Sequence, residues 1–281
     1  MKKNSSFFKV LIGLFLSVCL LGVSSLTFAG ELQRKLVQES AIEKIMRKGE
    51  MKIGIGIFVP WSFKDINGKL TGFEVDVAKK VAKDMGVKAK FVPTEWSGII
   101  PSLLTGKFDV IIGGMTVTQS RNLQINFTNP YIVVGQAVLL NIKHKGKVKS
   151  YKDLNDPKYT IVSRLGTTGE QAAMKMLPRA KYKSFEAEAE AAMEVIAGNA
   201  DALIYDLPFI EKVQAQHGAG KTIALSTPFT YEPLAMAIRK GDPDFMNYLN
   251  NFLFQYKGDG LWQRSYNKWF KSTDWFDKVG E

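Results

Sequence analysis

Gly72-Phe73-Glu74-Val75-Asp76-Val77-Ala78-Lys79-Lys80-Val81-Ala82-Lys83-Asp84-Met85 is the stretch from which the rest of this chain can be read. Val77, Ala78, Val81, Ala82 and Met85 fall on one face at helical spacing, while Lys79, Lys80, Lys83 and Asp84 take the other. Asp76 stands four residues before Lys80, an acid-before-base order that supports a helix. A helix over 73–85 follows, with Gly72 placing the turn that starts it. Just upstream, Phe58-Val59-Pro60-Trp61-Ser62-Phe63 closes an apolar run over 51–58 that reads as a strand.

The same alternation continues outward. Residues 89–93 and 109–113 are short apolar runs, and 98–105 between them has a helical pattern. Such a sequence of elements predicts parallel strands crossed by helices. Leu32, Leu36, Ile42, Ile45 and Met46 predict an amphipathic helix over 31–48, stopped by Gly49. A second α/β pattern begins after Asn141: strands at 159–163 and 201–205, helices at 168–176 and 187–197. A strand over 231–239 and helices over 244–257 and 261–269 complete the chain.

With 281 residues, 46% of them apolar, the chain is long enough to bury a core in one large domain or two modest ones. Lys2, Lys3 and Lys9, an apolar run over 10–21 and Thr27-Phe28-Ala29 predict a signal peptide cleaved after Ala29, and hence a periplasmic or exterior location. Cys19, the one cysteine, leaves with it, so disulfides, thiolate catalysis and cysteine metal sites are excluded. Removing three lysines and no acids from 38 basic and 27 acidic residues leaves 35 against 27, a charge of +8. The lysines are scattered, and the run Lys143-His144-Lys145-Gly146-Lys147-Val148-Lys149 has no aromatics for base stacking, so no nucleic-acid partner is expected.

Three loops carry candidate chemistry. Asp109-Val110-Ile111-Ile112 runs into Gly113-Gly114-Met115-Thr116-Val117-Thr118-Gln119-Ser120-Arg121, and loops after parallel strands are where open α/β sheets hold ligands. Arg121 offers a planar fork that matches a carboxylate, against the bland reading of a surface arginine. Asp206 ends the apolar run 202–205, as a carboxylate that needs a cationic partner, as the N-cap of a helix from Leu207, or as both. Gly166-Thr167-Thr168-Gly169 opens a helix whose free N–H groups favour an anion.

Together these stretches resemble the bacterial extracellular solute-binding proteins for polar amino acids, family 3. The resemblance implies an α/β, type II periplasmic-binding-protein fold of two lobes, each a mostly parallel sheet flanked by helices. It places the first lobe at 30–131 and 234–281, the second at 132–233, and hinges at 131–135 and 230–234. Arg121, with Gly114 and Thr116, would anchor a ligand α-carboxylate, Thr168 would add a contact from the second lobe, and Asp206 would hold the α-ammonium. Phe58, Trp61, Trp96, Arg164 and Tyr205 would surround the ligand side chain. The implied partners are a free L-amino acid and the permease subunits of an ABC transporter, with the chain itself a monomer; a sensor subunit would use the same site.

Ile55 stands where several relatives have an acid, and Arg164 would repel a cation, so the expected side chain is neutral or acidic. The chain also resembles periplasmic cyclohexadienyl dehydratases through Gln38-Glu39-Ser40 and Glu170, which would be the acid protonating the leaving hydroxyl. An acid is favoured in the first turn of a helix in any case. Gly54-Ile55-Gly56 lacks a third glycine and a following helix, no phosphate loop is present, and His144 and His217 lie in polar stretches. Neither a cofactor nor a metal is therefore expected.

Overall fold

The computed structural model describes residues 40–280, so the expected leader and the first part of the 31–48 helix lie outside it. Helix α1 (Ala41–Lys48) leads into β1 (Glu50–Ile55), and a small hairpin of β2 (Phe63–Lys64) and β3 (Leu70–Thr71) follows. Next come α2 (Phe73–Asp84), β4 (Lys88–Pro93), α3 (Ile99–Leu104), β5 (Val110–Ile111), the single turn α4 (Gln119–Asn122) and β6 (Asn126–Phe127). The chain crosses over in β7 (Ile132–Val134) and builds β8 (Gln136–Asn141), β9 (Thr160–Arg164), α5 (Thr168–Met176) and β10 (Lys181–Phe185). It continues through α6 (Glu188–Ala197), β11 (Ala202–Asp206), α7 (Leu207–Gln216) and β12 (Thr222–Leu225). A return crossing, β13 (Glu232–Leu234), leads to β14 (Ala237–Ile238), α8 (Pro243–Gly258) and α9 (Leu261–Tyr266).

The result is two five-stranded sheets, ordered β4-β1-β5-β14-β6 and β10-β9-β11-β8-β12. In the first, β4, β1 and β5 are parallel and β14 is antiparallel to its neighbours; in the second, β10, β9 and β11 are parallel and β8 is antiparallel to its neighbours. The crossing strands β7 and β13 pair antiparallel, Ile132 opposite Leu234 and Val134 opposite Glu232. These are the two sheets with flanking helices of a type II periplasmic binding protein.

Burial explains why the opening stretch matters. α2 turns Phe73, Val75, Val77, Ala78, Val81 and Ala82 inward, and each large apolar side chain buried there contributes about 1.5–3 kcal/mol. Gly72 has φ 128°, and a Cβ on it would come within 2.3 Å of the Trp61 carbonyl oxygen. Only glycine lets the chain pass there, after which the Glu74 N–H donates to that carbonyl at 2.8 Å.

Two expectations change. The single strand over 231–239 is two pieces in different sheets, β13 and β14, because the Ala235 N–H turns to the Met115 carbonyl between them. The last helix ends as a π-helical turn, Asn267–Lys271, which places Trp269 where its Nε1 donates to Asp76 at 2.8 Å and Phe270 where it packs edge-on against Trp61. Among the described residues no helix is long and apolar enough to cross a membrane.

Candidate functional site

Beyond β5 the backbone turns through Gly114, whose φ is +66° and whose Cβ, if present, would meet the Phe58 ring at 2.7 Å. Four residues on, the Thr118 hydroxyl accepts from the Arg121 N–H at 3.2 Å and starts α4. That turn aims a long basic side chain inward. Arg121 is 6% exposed; its Nη1 donates to the Thr116 carbonyl at 2.9 Å and its Nη2 to the Gly166 carbonyl at 3.1 Å. Its guanidinium lies 5.7 Å from the centroid of Trp96, and Trp96 Nε1 donates to the same Gly166 carbonyl at 3.2 Å. Burial draws the Arg121 pKa down, opposed first by the charge of Glu232 and then by Asp206.

Asp206 ends β11, directly opposite Gln136 in the antiparallel β8–β11 register. Gln136 Nε2 donates to Asp206 Oδ1 at 2.7 Å and to the Thr168 hydroxyl at 3.3 Å. Asp206 occupies the N-cap position of α7, yet its side chain caps nothing there. Its carboxyl group is pushed up to about 7, by burial first and by the charge of Glu232 second. Thr116 and Thr168 face each other at 3.5 Å between their hydroxyls, joining the loop after β5 to the start of α5.

Phe58, Trp96, Gly114, Thr116, Arg121, Thr168, Tyr205 and Asp206, together with Thr167, line one cavity of about 20 Å³. That is room for about one water, far below the roughly 300 Å³ at which small-molecule sites begin, so the walls must part to admit a ligand; they combine aromatic faces with one buried cation and one buried anion. Trp61 and Arg164 do not line it. Trp61 is fully buried, edge-on to Phe73 and Phe270. Arg164 pairs with Glu188 at 2.9 Å, donates to the Glu186 carbonyl at 2.8 Å and comes within 4.0 Å of Glu95. Glu170 also turns away: one oxygen accepts from the Gly166 N–H at 2.7 Å, the other from the Tyr182 hydroxyl at 3.2 Å.

Sequence reasoning missed Gln136, Glu232 and Thr167. Gln136 carried a signal, being the polar head of an apolar strand, but its partner is set by register. Glu232, 5% exposed and with Oε2 unpartnered among the described residues, carried none, since the charges it acts on, Arg121 and Asp206, lie far from it in sequence.

The fold and its cleft define a type II periplasmic binding protein. A model of the bacterial extracellular solute-binding proteins, family 3, matches residues 40–272, and the chain belongs to that family. It is 50% identical to a binding component of an ABC transporter from Wolinella succinogenes, described as putative and solved with lysine (TM-score 0.79, 82% of this chain and 100% of that one). It is 46% identical to the ancestral amino acid-binding protein AncCDT-1, a precursor of cyclohexadienyl dehydratase (TM-score 0.78, 82% and 100%). The L-cystine-binding protein TcyJ of Escherichia coli is 29% identical over 255 residues, 89% of this chain and 94% of that protein. More distant is the cyclohexadienyl dehydratase of Pseudomonas aeruginosa, 23% identical over 235 residues, 83% of this chain and 87% of the enzyme. The relatives are thus mostly binding proteins, with one enzyme among them.

Proposed function

We propose that this chain is a receptor that binds one free L-amino acid between its two lobes and delivers it to an ABC-type permease. One observation carries the reading. Arg121 in α4, a buried cation, and Asp206 at the end of β11, a buried anion, stand on the wall of one cavity, as the two ends of a zwitterion require. A ligand that touches both lobes stabilises the closed form by its differential affinity for it. Lobe limits of 30–131 with 234–281, and 132–233, fit this reading, as do a leader removed after Ala29, a periplasmic location and a monomeric chain.

The side-chain expectation shifts on physical grounds. Arg164 is neutralised by Glu188, and Glu95 lies at its outer face, so the repulsion against a cationic ligand is cancelled. Lysine, held by the Wolinella relative, therefore heads the trial ligands. An enzymatic role is disfavoured because Glu170, the one candidate acid, spends both oxygens on its own loop and on Tyr182.

A thermal-shift screen of the protein, refolded to remove carried-over solute, against the twenty amino acids, prephenate and arogenate tests this. A rise in melting temperature with one or a few amino acids, absent in Arg121→Ala, is expected. Consumption of prephenate or arogenate with no amino-acid shift would replace the receptor by a dehydratase.

A further inference from the structure

Glu74 belongs to the opening helix motif, yet its carboxyl group is fully buried among apolar residues and plays no part in the site as described so far. Its Oε1 accepts two hydrogen bonds: from the Gly114 N–H at 3.0 Å and from the Tyr131 hydroxyl at 2.5 Å. Gly114 lies in the cavity wall, two residues before the Thr116 carbonyl that receives Arg121 Nη1. Tyr131 immediately precedes the crossing strand β7, and its N–H donates to the Leu234 carbonyl of the other crossing strand at 3.0 Å. One oxygen atom therefore joins the arginine-bearing loop to the point where both connections leave the first lobe.

An apolar residue here would satisfy neither donor. Helix packing alone calls for one, since Phe73, Val75 and Val77 on either side are buried hydrocarbons. A buried N–H and a buried hydroxyl that lose their acceptor must find another, and for Gly114 any turn of its peptide displaces the cavity wall.

We infer that Glu74 is a positioning residue for ligand binding, whose carboxyl oxygen holds the Gly114 loop in register with the interlobe crossing at Tyr131. The inference rests on the receptor reading above. What Glu74 supplies is an acceptor at a fixed point, so an amide oxygen in the same place serves and a hydrocarbon does not. The loop geometry that presents Arg121 then depends on a residue that touches no ligand.

The test compares wild type with Glu74→Leu, Glu74→Gln and Tyr131→Phe by titration calorimetry with L-lysine, L-arginine and L-glutamine, counting folded protein only. Glu74→Leu is expected to weaken binding at least tenfold, Glu74→Gln to stay within about threefold of wild type, and Tyr131→Phe to fall between. In ¹⁵N-labelled protein the Gly114 amide proton, bonded to a carboxyl oxygen, is expected downfield in wild type, retained there in Glu74→Gln and moved upfield in Glu74→Leu. Should Glu74→Leu not fold, Tyr131→Phe and the Gln variant still decide. Unchanged affinity in the folded variants, with only the melting temperature lowered, would reduce Glu74 to a packing residue and leave the receptor standing. Failure of wild type to bind any of the three, or any other amino acid in the thermal screen, would instead remove the receptor reading and this inference with it.

Discussion

If Asp206 holds the ligand ammonium as proposed, lowering the pH should release the ligand. The Asp206 carboxyl group titrates at about 7 because burial penalises the anion and Glu232 adds a like charge, against the Gln136 hydrogen bond and the charge of Arg121. A ligand ammonium needs the anion, so binding is coupled to loss of that proton. A group with that value is roughly three-quarters ionised at about pH 7.5 and about 3% ionised at about pH 5.5. Affinity should therefore fall roughly 25-fold across the interval, about 2 kcal/mol, while a free amino acid stays zwitterionic. For the ligand-free protein the sign is opposite: the folded state holds more protons than the unfolded between about pH 4 and 7, so Asp206 costs stability as pH rises through that window. Titration calorimetry in buffers of differing ionisation enthalpy reads the released proton directly. Asp206→Asn should bind weakly at every pH, without slope. Glu74 also titrates at about 7 but bonds only to Gly114 and Tyr131, so Glu74→Gln should keep the slope. A wild-type affinity that is flat from about pH 5.5 to 7.5 would refute this account of Asp206.

On the proposed reading, Arg121→Ala would leave the ligand carboxylate buried without a partner and should weaken binding by about 3 kcal/mol or more, read by calorimetry on protein whose melting temperature without ligand is unchanged or raised. Breaking the buried Arg164–Glu188 pair from one side, with Glu188→Leu, should cost about 3–5 kcal/mol in denaturant unfolding, and Arg164→Met in the same chain should return much of it. Gly135→Ala puts a Cβ within 2.5 Å of the Thr230 carbonyl oxygen and 2.7 Å of Pro228 Cβ, forcing the crossing connections apart. It should lose about 1–3 kcal/mol of stability and bind more weakly; unaltered binding would show that the close approach there is dispensable.

How far the sequence could be read depended on how local each cause is. The helix over 168–176 has the bounds expected, because Thr167 caps it through the Glu170 N–H within its own first turn. The opening helix ends within a residue of its expected limit for the same reason: an inward apolar face fixes its period. Residues 231–239 read as one strand because extended character carries no information about which neighbour pairs with which half. The same gap divides the site. Arg121 sits in the first helical turn after β5 and Asp206 ends β11, places that alternation makes visible, whereas Gln136 meets Asp206 only through β8–β11 register. Trp61 and Arg164 lie beside wall-lining residues in sequence or space, but their orientation depends on Phe270 and Glu188, which no local pattern pairs with them.

Trp96 gives the molecule a built-in optical probe. The chain has five tryptophans, and Trp61, Trp262, Trp269 and Trp275 belong to the aromatic cluster around α2 and the C-terminal turns. Among the described residues, Trp96 alone has a guanidinium 5.7 Å from its ring, and its indole N–H bonds to the Gly166 carbonyl, 70 residues on. Indole emission shifts with nearby charge and with hydrogen bonding, so a carboxylate arriving at Arg121, as proposed, should change both influences on Trp96. Solute uptake can thus be followed in unlabelled protein, with Trp96→Phe as the blank.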